Sequence, residues 1–337
     1  MKNLLLSAAI GDIAGSAYES RYNSTKNYDA VEMFSSHARF TDDTVCTFAC
    51  AEALLNNLDM ADNLWKRTNG HPHAGYGYRF RLWMASSVHN PYGSYGNGSA
   101  MRCSAAGWLA GTEEECVDMA RLTAMPTHNH PEGIKGAMAT ALAVYHLKSG
   151  RDKAYVRSCV LEHFYPDWAL KGYADIHDDY VNDTTCQGTA PAALICFLES
   201  KDYVDCIKLA ISLGGDADTL AAIAGPMAYA FYSLCLTTCR MRLWLCFLNG
   251  CAGSTAISTR LSLYSRVLSV PLRSLCLRVR ACQFVLLVFS ATMSAICLWL
   301  AALLAAMTPP FCVSFTGDPS VAVIVPPASV TISEAAA

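Results

Sequence analysis

Between residues 44 and 58 the apolar side chains Phe48, Ala51, Leu54, Leu55 and Leu58 recur every three or four positions. That spacing lines one face of an α-helix. The same period returns in Ile134, Ala137, Met138, Ala141 and Tyr145, and again in Leu220, Ile223, Ala224, Met227, Ala228 and Phe231, where Pro226 predicts a kink. Asp202 reads as an N-cap and Gly214-Gly215 as a stop for a further helix through Val204, Ile207 and Ile211. Sustained alternation of apolar and polar residues is missing from the first 232 positions. The pattern predicts an all-α domain with one core, its polar loops falling between helices.

After residue 232 the pattern changes. The chain has 337 residues, 53% of them hydrophobic, and a net charge of −3. Residues 1–232 hold 18 basic and 26 acidic side chains and all nine histidines; residues 233–337 hold seven Arg, no Lys and two acids. The average describes neither part. The mild net charge gives no reason to expect nucleic acid as a partner. An uncharged run at 281–307, preceded by Arg273, Arg278 and Arg280, has the composition of a membrane segment with a basic flank. A terminus translated out of register is the preferred explanation of this tail. A membrane anchor and a buried helical extension are the alternatives. The organisation expected is a catalytic domain over 1–232 and an atypical Arg-, Cys- and Leu-rich tail over 233–337.

Eight of the 16 cysteines lie in each part, and those of the first part form no CxxC pair. Zinc-ribbon and thioredoxin-like chemistry therefore lack support. The apolar run at 4–10 ends at Gly11-Asp12 and is too short for a secretion signal. Free thiols and a cytoplasmic setting are the expectation.

The predicted loops collect the chemistry. "FTDDT" at 40–44 and "GGDADT" at 214–219 each place carboxylates and a hydroxyl just ahead of an apolar helix, the second beginning near Leu220. Taken alone, each is an N-cap whose acids suit the helix dipole. Taken together, four carboxylates at two helix starts cannot approach one another comfortably without cations between them. An all-oxygen donor set selects Mg²⁺ or Mn²⁺ rather than zinc. "YGNGSAMR" at 95–102 offers backbone N–H groups at Gly96 and Gly98, and side chains at Asn97 and Ser99, to an anion. A tight turn without a ligand explains it equally well. His128 and His130 in "THNHPEG" at 127–133 lead into a helix, and "CQG" at 186–188 is another predicted loop.

The ordered set of Gly11-Asp12, Glu19, "FTDDT", "GNGSAMR", "THNHPEG" and "GGDADT" resembles the ADP-ribosylglycohydrolase family across residues 1–232. The resemblance implies an all-α fold with two Mg²⁺ ions, Mn²⁺ being possible, in a cleft. It also implies hydrolysis of the glycosidic bond that joins ADP-ribose to a protein side chain or a small conjugate. By the same resemblance Thr41, Asp42, Asp43, Asp216, Asp218 and Thr219 hold the metals, with Asp218 between the two ions. Glu19, Asp42 and Asp218 are implied to be catalytic. Gly96, Asn97, Gly98, Ser99 and His128 are implied to hold ADP-ribose, and Asp12 is a secondary candidate near the cleft. The rivals are a non-catalytic ADP-ribose-binding protein and a dinuclear phosphohydrolase that cuts a nucleotide diphosphate.

Overall fold

The computed structural model describes residues 1–19 and 23–232, with two further strands, Cys312–Phe315 and Ala322–Val325. Its contacts divide the chain into two units, Met1–Ser269 and Val270–Ala337. In the second unit the strands pair antiparallel, with Cys312 opposite Val325. The apolar run at 281–307, its arginine flank and the change of composition after Tyr232 lie outside the described residues. Among those described, no helix is long and apolar enough to cross a membrane.

The described residues of the first unit form helices, and the first and last of these lie together at the centre. Helix α1 (Lys2–Ser16) lies along α13 (Ala217–Tyr232). The approach is backbone to backbone. A Cβ on Gly11 would stand 2.2 Å from the Ala221 carbonyl oxygen, and one on Gly15 would stand 2.4 Å from Asp218 Cα. From the other helix, a Cβ on Gly225 would stand 2.6 Å from the Ser7 oxygen. Only residues without a side chain permit this contact. Helix α12 (Tyr203–Ser212) covers α13, and its fully buried Tyr203 hydroxyl donates to the Ser7 oxygen at 2.7 Å. Helices α8 (Pro131–Lys148) and α11 (Cys186–Glu199) complete the buried layer, which is rich in alanine.

The caps are local and recognisable. Thr41 starts α2 (Asp42–Asn56), and Asp202 starts α12 by accepting from the Asp205 N–H at 2.9 Å. Asn57 ends α2 in the left-handed region at φ 49°, so Leu58, expected on the helical face, lies beyond the helix and 47% exposed. After α12 the chain turns through Gly214 at φ 74° and Gly215 at φ 70°. These values favour glycine and enforce the predicted stop. Helix α13 begins three residues before Leu220, because the Asp216 carbonyl already accepts from the Leu220 N–H at 3.0 Å. It continues through Pro226 to Tyr232.

The remaining helices are α3 (Met60–Asn69), α4 (Tyr78–Ala85), α5 (Gly98–Met101), α6 (Ser104–Leu109) and α7 (Glu113–Ala124), with the shorter α9 (Lys153–Val156) and α10 (Tyr173–His177). Two expected loops are corrected here. "CQG" is the first turn of α11, with Thr185 as its cap, and "GNGSAMR" contains the single turn α5. Among the described residues of 1–232 there is no strand, only an isolated bridge pairing Gly96 with Thr185.

Candidate metal centre and cleft

Because α1 and α13 touch through glycine, carboxylates from both converge on the start of α2. Asp12 leaves α1 fully buried. It accepts from Thr41 N at 2.9 Å, Thr41 Oγ1 at 2.7 Å and Thr44 N at 3.0 Å, and also from the Thr44 hydroxyl. Four donors tie the start of α2 to α1. Asp43 stands beside them, its Oδ2 accepting from Thr219 Oγ1 at 3.2 Å and lying 3.3 Å from Thr41 Oγ1, whose hydrogen is directed at Asp12. Its Oδ1 is buried with no hydrogen-bond partner. Single oxygens of Asp12, Asp43 and Asp218 lie within 4.8 Å of one another, and so do oxygens of Glu19, Asp216 and Asp218. Asp218 belongs to both groups. Asn97 reaches across to donate to Asp216 Oδ2 at 2.6 Å and to Thr189 Oγ1 at 3.1 Å.

No lysine or arginine among the described residues forms an ion pair with any of these acids. Their charges therefore act on each other. Desolvation pushes the Asp12 carboxyl up to about 6, against the pull of its four donors. Desolvation, then Asp12 and Asp216, push Asp42 up to about 8. Asp43 and Asp218 are driven well above the usual carboxylate range by burial and by the neighbouring acids. Glu19 is raised by burial and Asp216, with Arg39 opposing. Three buried acids without cationic partners, Asp12, Asp43 and Asp218, one of them with an orphaned oxygen, fit a hard divalent cation. They suit nothing among the described side chains.

The acids form one wall of a cleft of about 460 Å³, ample for a nucleotide-sized ligand. Glu19, Asp42, Asp43, Asp216, Asp218 and Thr219 line it. Gly96, Asn97, Gly98, Arg102 and His128 line it too, with Arg79 and Tyr92. Arg102 is fully buried, and Arg79 lies 4.8 Å above the Tyr92 ring. The cleft thus brings acidic and basic side chains together, as suits a ligand carrying both hydroxyls and an anionic group. Burial, then Arg102 and Arg79, hold His128 well below the usual imidazole range, so it is neutral.

Most residues singled out in the sequence line this cleft, but Asp12, Thr41, Ser99 and His130 do not. Ser99 is fully buried and absent from the cleft wall. Its hydroxyl donates to the Gly133 oxygen at 2.7 Å, because the single turn of α5 points it at the start of α8. Its side chain therefore does not face a ligand. Thr41 caps α2 and bonds to Asp12 behind the cleft surface. Asp12, secondary in sequence, is the most heavily bonded acid of the group. Arg102, Arg79 and Tyr92 carried no motif of their own, although Arg102 ends "GNGSAMR".

The sequence profile of the ADP-ribosylglycohydrolase family matches residues 1–234. An ADP-ribosylhydrolase ARH3 of Xenopus tropicalis is 25% identical over 299 residues, covering 68% of this chain and 85% of its own length. An ADP-ribosyl-dinitrogen reductase glycohydrolase of Rhodospirillum rubrum is 29% identical, covering 58% of this chain and 70% of its own. A solved structure titled "ADP-ribosylglycohydrolase-related protein complex" shares the fold with a TM-score of 0.58 at 24% identity, over 73% of this chain and 95% of its own. The match takes in every described helix and every acidic motif of the cleft, and on it this chain belongs to the ADP-ribosylglycohydrolase family of glycosidic-bond hydrolases.

Proposed function

We propose that this chain hydrolyses the glycosidic bond between ADP-ribose and a protein side chain or small conjugate, with two Mg²⁺ ions as its cofactor. The observation that carries this reading is the shared position of Asp218. Its carboxylate lies within reach of two separate groups of oxygens, one with Asp12 and Asp43 and one with Glu19 and Asp216. That arrangement supports two cations with Asp218 between them. Thr41, Asp42, Asp43, Asp216, Asp218 and Thr219 are the proposed metal residues, and the geometry adds Asp12. When bound, such ions supply positive charge for ribose hydroxyls and lower the pKa of nearby water.

The protein's own groups do the rest. Breaking the bond at the anomeric carbon builds positive charge on the ribose, an oxocarbenium-like state. The acidic wall favours that charge. As the bond to the leaving atom breaks, a water oxygen bonds to the anomeric carbon. Glu19, raised by burial and Asp216, takes the water's proton, and the leaving group takes one from solvent. Gly96, Asn97, Gly98 and His128, which line the same cleft, hold the ADP-ribosyl group in place. The eight cysteines among the described residues, all free, support a reducing, cytoplasmic setting. A membrane partner enters only through the 281–307 run.

A panel of defined ADP-ribosyl conjugates, linked through arginine, serine, an acyl group or a base, tests the reading. Release of free ADP-ribose in Mg²⁺ that stops in EDTA is expected. Release of AMP and ribose phosphate instead would assign a phosphohydrolase and overturn it.

A further inference from the structure

Arg102 and His128, which both line the cleft, are joined by a chain of hydrogen bonds whose direction can be worked out. Arg102 is fully buried and held by three acceptors. Its Nε donates to the Thr123 oxygen at 3.0 Å, and its Nη2 donates to the Ala124 oxygen at 3.3 Å and to Thr127 Oγ1 at 2.7 Å. A guanidinium can only donate, so Thr127 Oγ1 accepts from it. The Thr127 hydroxyl is fully buried and has, among the described residues, one other partner, His128 Nδ1, at 2.7 Å.

A hydroxyl has a single hydrogen, and a buried one is normally placed on an acceptor. Among the described residues Nδ1 is the acceptor available to it. The reverse arrangement, with Nδ1–H donating to Thr127, would strand that hydrogen in the interior. Nδ1 therefore accepts, and a neutral ring then has its proton on Nε2. The ring is also fixed in space. A Cβ on Gly98 would stand 3.1 Å from His128 Nε2 and Cε1, and one on Gly96 would stand 3.6 Å from Nε2. The two glycines leave the Nε2 edge room against the loop, where His128 lines the cleft. Among the described residues Nε2 has no protein partner.

We infer that Arg102 and Thr127 are positioning residues that hold His128 as its neutral Nε2–H tautomer, so that the cleft offers an uncharged N–H donor to an acceptor oxygen of the bound ADP-ribosyl group. The identity of the ligand rests on the proposed function; the tautomer rests on the protein alone. Arg102 acts through Thr127, and Thr127 through the orientation and proton of the ring. Neither touches the reacting atoms.

The test separates the two layers. The full chain, labelled with ¹⁵N at histidine, is recorded by two-bond ¹H–¹⁵N correlation without ligand, and the His128 signals are identified by their loss in His128→Gln. A bare Nδ1 and a protonated Nε2 are expected in the native chain and in Thr127→Ser. Thr127→Val, which keeps the shape and deletes the hydroxyl, should show both tautomers. Calorimetric titration with ADP-ribose should give a Kd about tenfold weaker in Thr127→Val and within about twofold of native in Thr127→Ser. With a hydrolysed conjugate the loss should fall in KM more than in kcat. A protonated Nδ1 in the native chain overturns the inference, and so does a Thr127→Val spectrum identical to it. If Thr127→Val does not fold, the native and Thr127→Ser spectra decide alone. Failure of ADP-ribose to bind the native chain counts against the proposed function and leaves the tautomer to be judged by the spectra.

Discussion

Replacing Asp43 by Asn should make the metal-free protein more stable while removing its response to Mg²⁺. Oxygens of Asp12, Asp43 and Asp218 lie within 4.8 Å of one another, all buried and without cationic partners. At that separation two unit charges repel by about 3 kcal/mol if the effective dielectric constant is about 20. The wild type relieves part of this by retaining protons, as the rise of Asp43 and Asp218 under burial and the neighbouring acids records. Removing one acid recovers the unrelieved part, about 2 kcal/mol, or roughly 4–8 °C in Tm for a domain of this size. An amide at position 43 also keeps an oxygen for Thr219, whose hydroxyl now donates to Asp43.

The dependence on pH has a definite sign. Groups whose folded pKa is raised bind more protons folded than unfolded, so they lend stability at low pH and lose it as pH rises. For the metal-free wild type the loss should set in above about pH 4 and run through about 6 for Asp12 and about 8 for Asp42. Melting curves in EDTA and in Mg²⁺, taken between about pH 5 and about pH 8, read all of this out. The wild type in EDTA should melt lower as pH rises, and Mg²⁺ should restore it. Asp43→Asn should melt higher than wild type in EDTA and gain little from Mg²⁺. A metal-free Asp43→Asn that melts below the metal-free wild type would refute the repulsion argument. A wild type indifferent to Mg²⁺ would remove the metal centre with it.

Glu19→Gln keeps the shape of the side chain and deletes the base, so turnover should fall by ~10²–10⁴ while calorimetry still detects ADP-ribose binding. Asn97→Ala removes the 2.6 Å hydrogen bond to Asp216 and should weaken Mg²⁺ affinity by roughly 10-fold or more, measured as the Mg²⁺ needed for half-maximal thermal stabilisation. Gly15→Ala would set a Cβ 2.4 Å from Asp218 Cα. Separating α1 from α13 should cost about 1–3 kcal/mol by denaturant unfolding and weaken Mg²⁺ stabilisation, because Asp12 and Asp218 move apart.

Features governed by neighbours in sequence could be read without the fold. Asp202 caps α12 through an N–H three residues on, and Gly214 and Gly215 take positive φ where the periodicity stops. Such preferences act within a turn, so periodicity and caps located α2, α8, α12 and α13 to within a few residues. The acidic residues of "FTDDT" and "GGDADT" were legible for a related reason. Each sits at a helix start, and their repulsion could be inferred from charge alone.

Contacts between distant segments decided the rest. Asp12 looked like an interruption of an apolar run, yet it is bonded four times to the start of α2, because Gly11 and Gly15 admit the backbone of α13. Ser99 sits in a ligand-like loop in sequence, but the one turn of α5 sends its hydroxyl to Gly133 instead. Arg102, Thr127 and His128 are linked only because α5 and α7 pack side by side, and nothing in the spacing of those residues announces the proton on Nε2. Helical period and charge are properties of a short stretch of chain. The direction of a side chain, and the partner that finds it, depend on how closely two helices can approach.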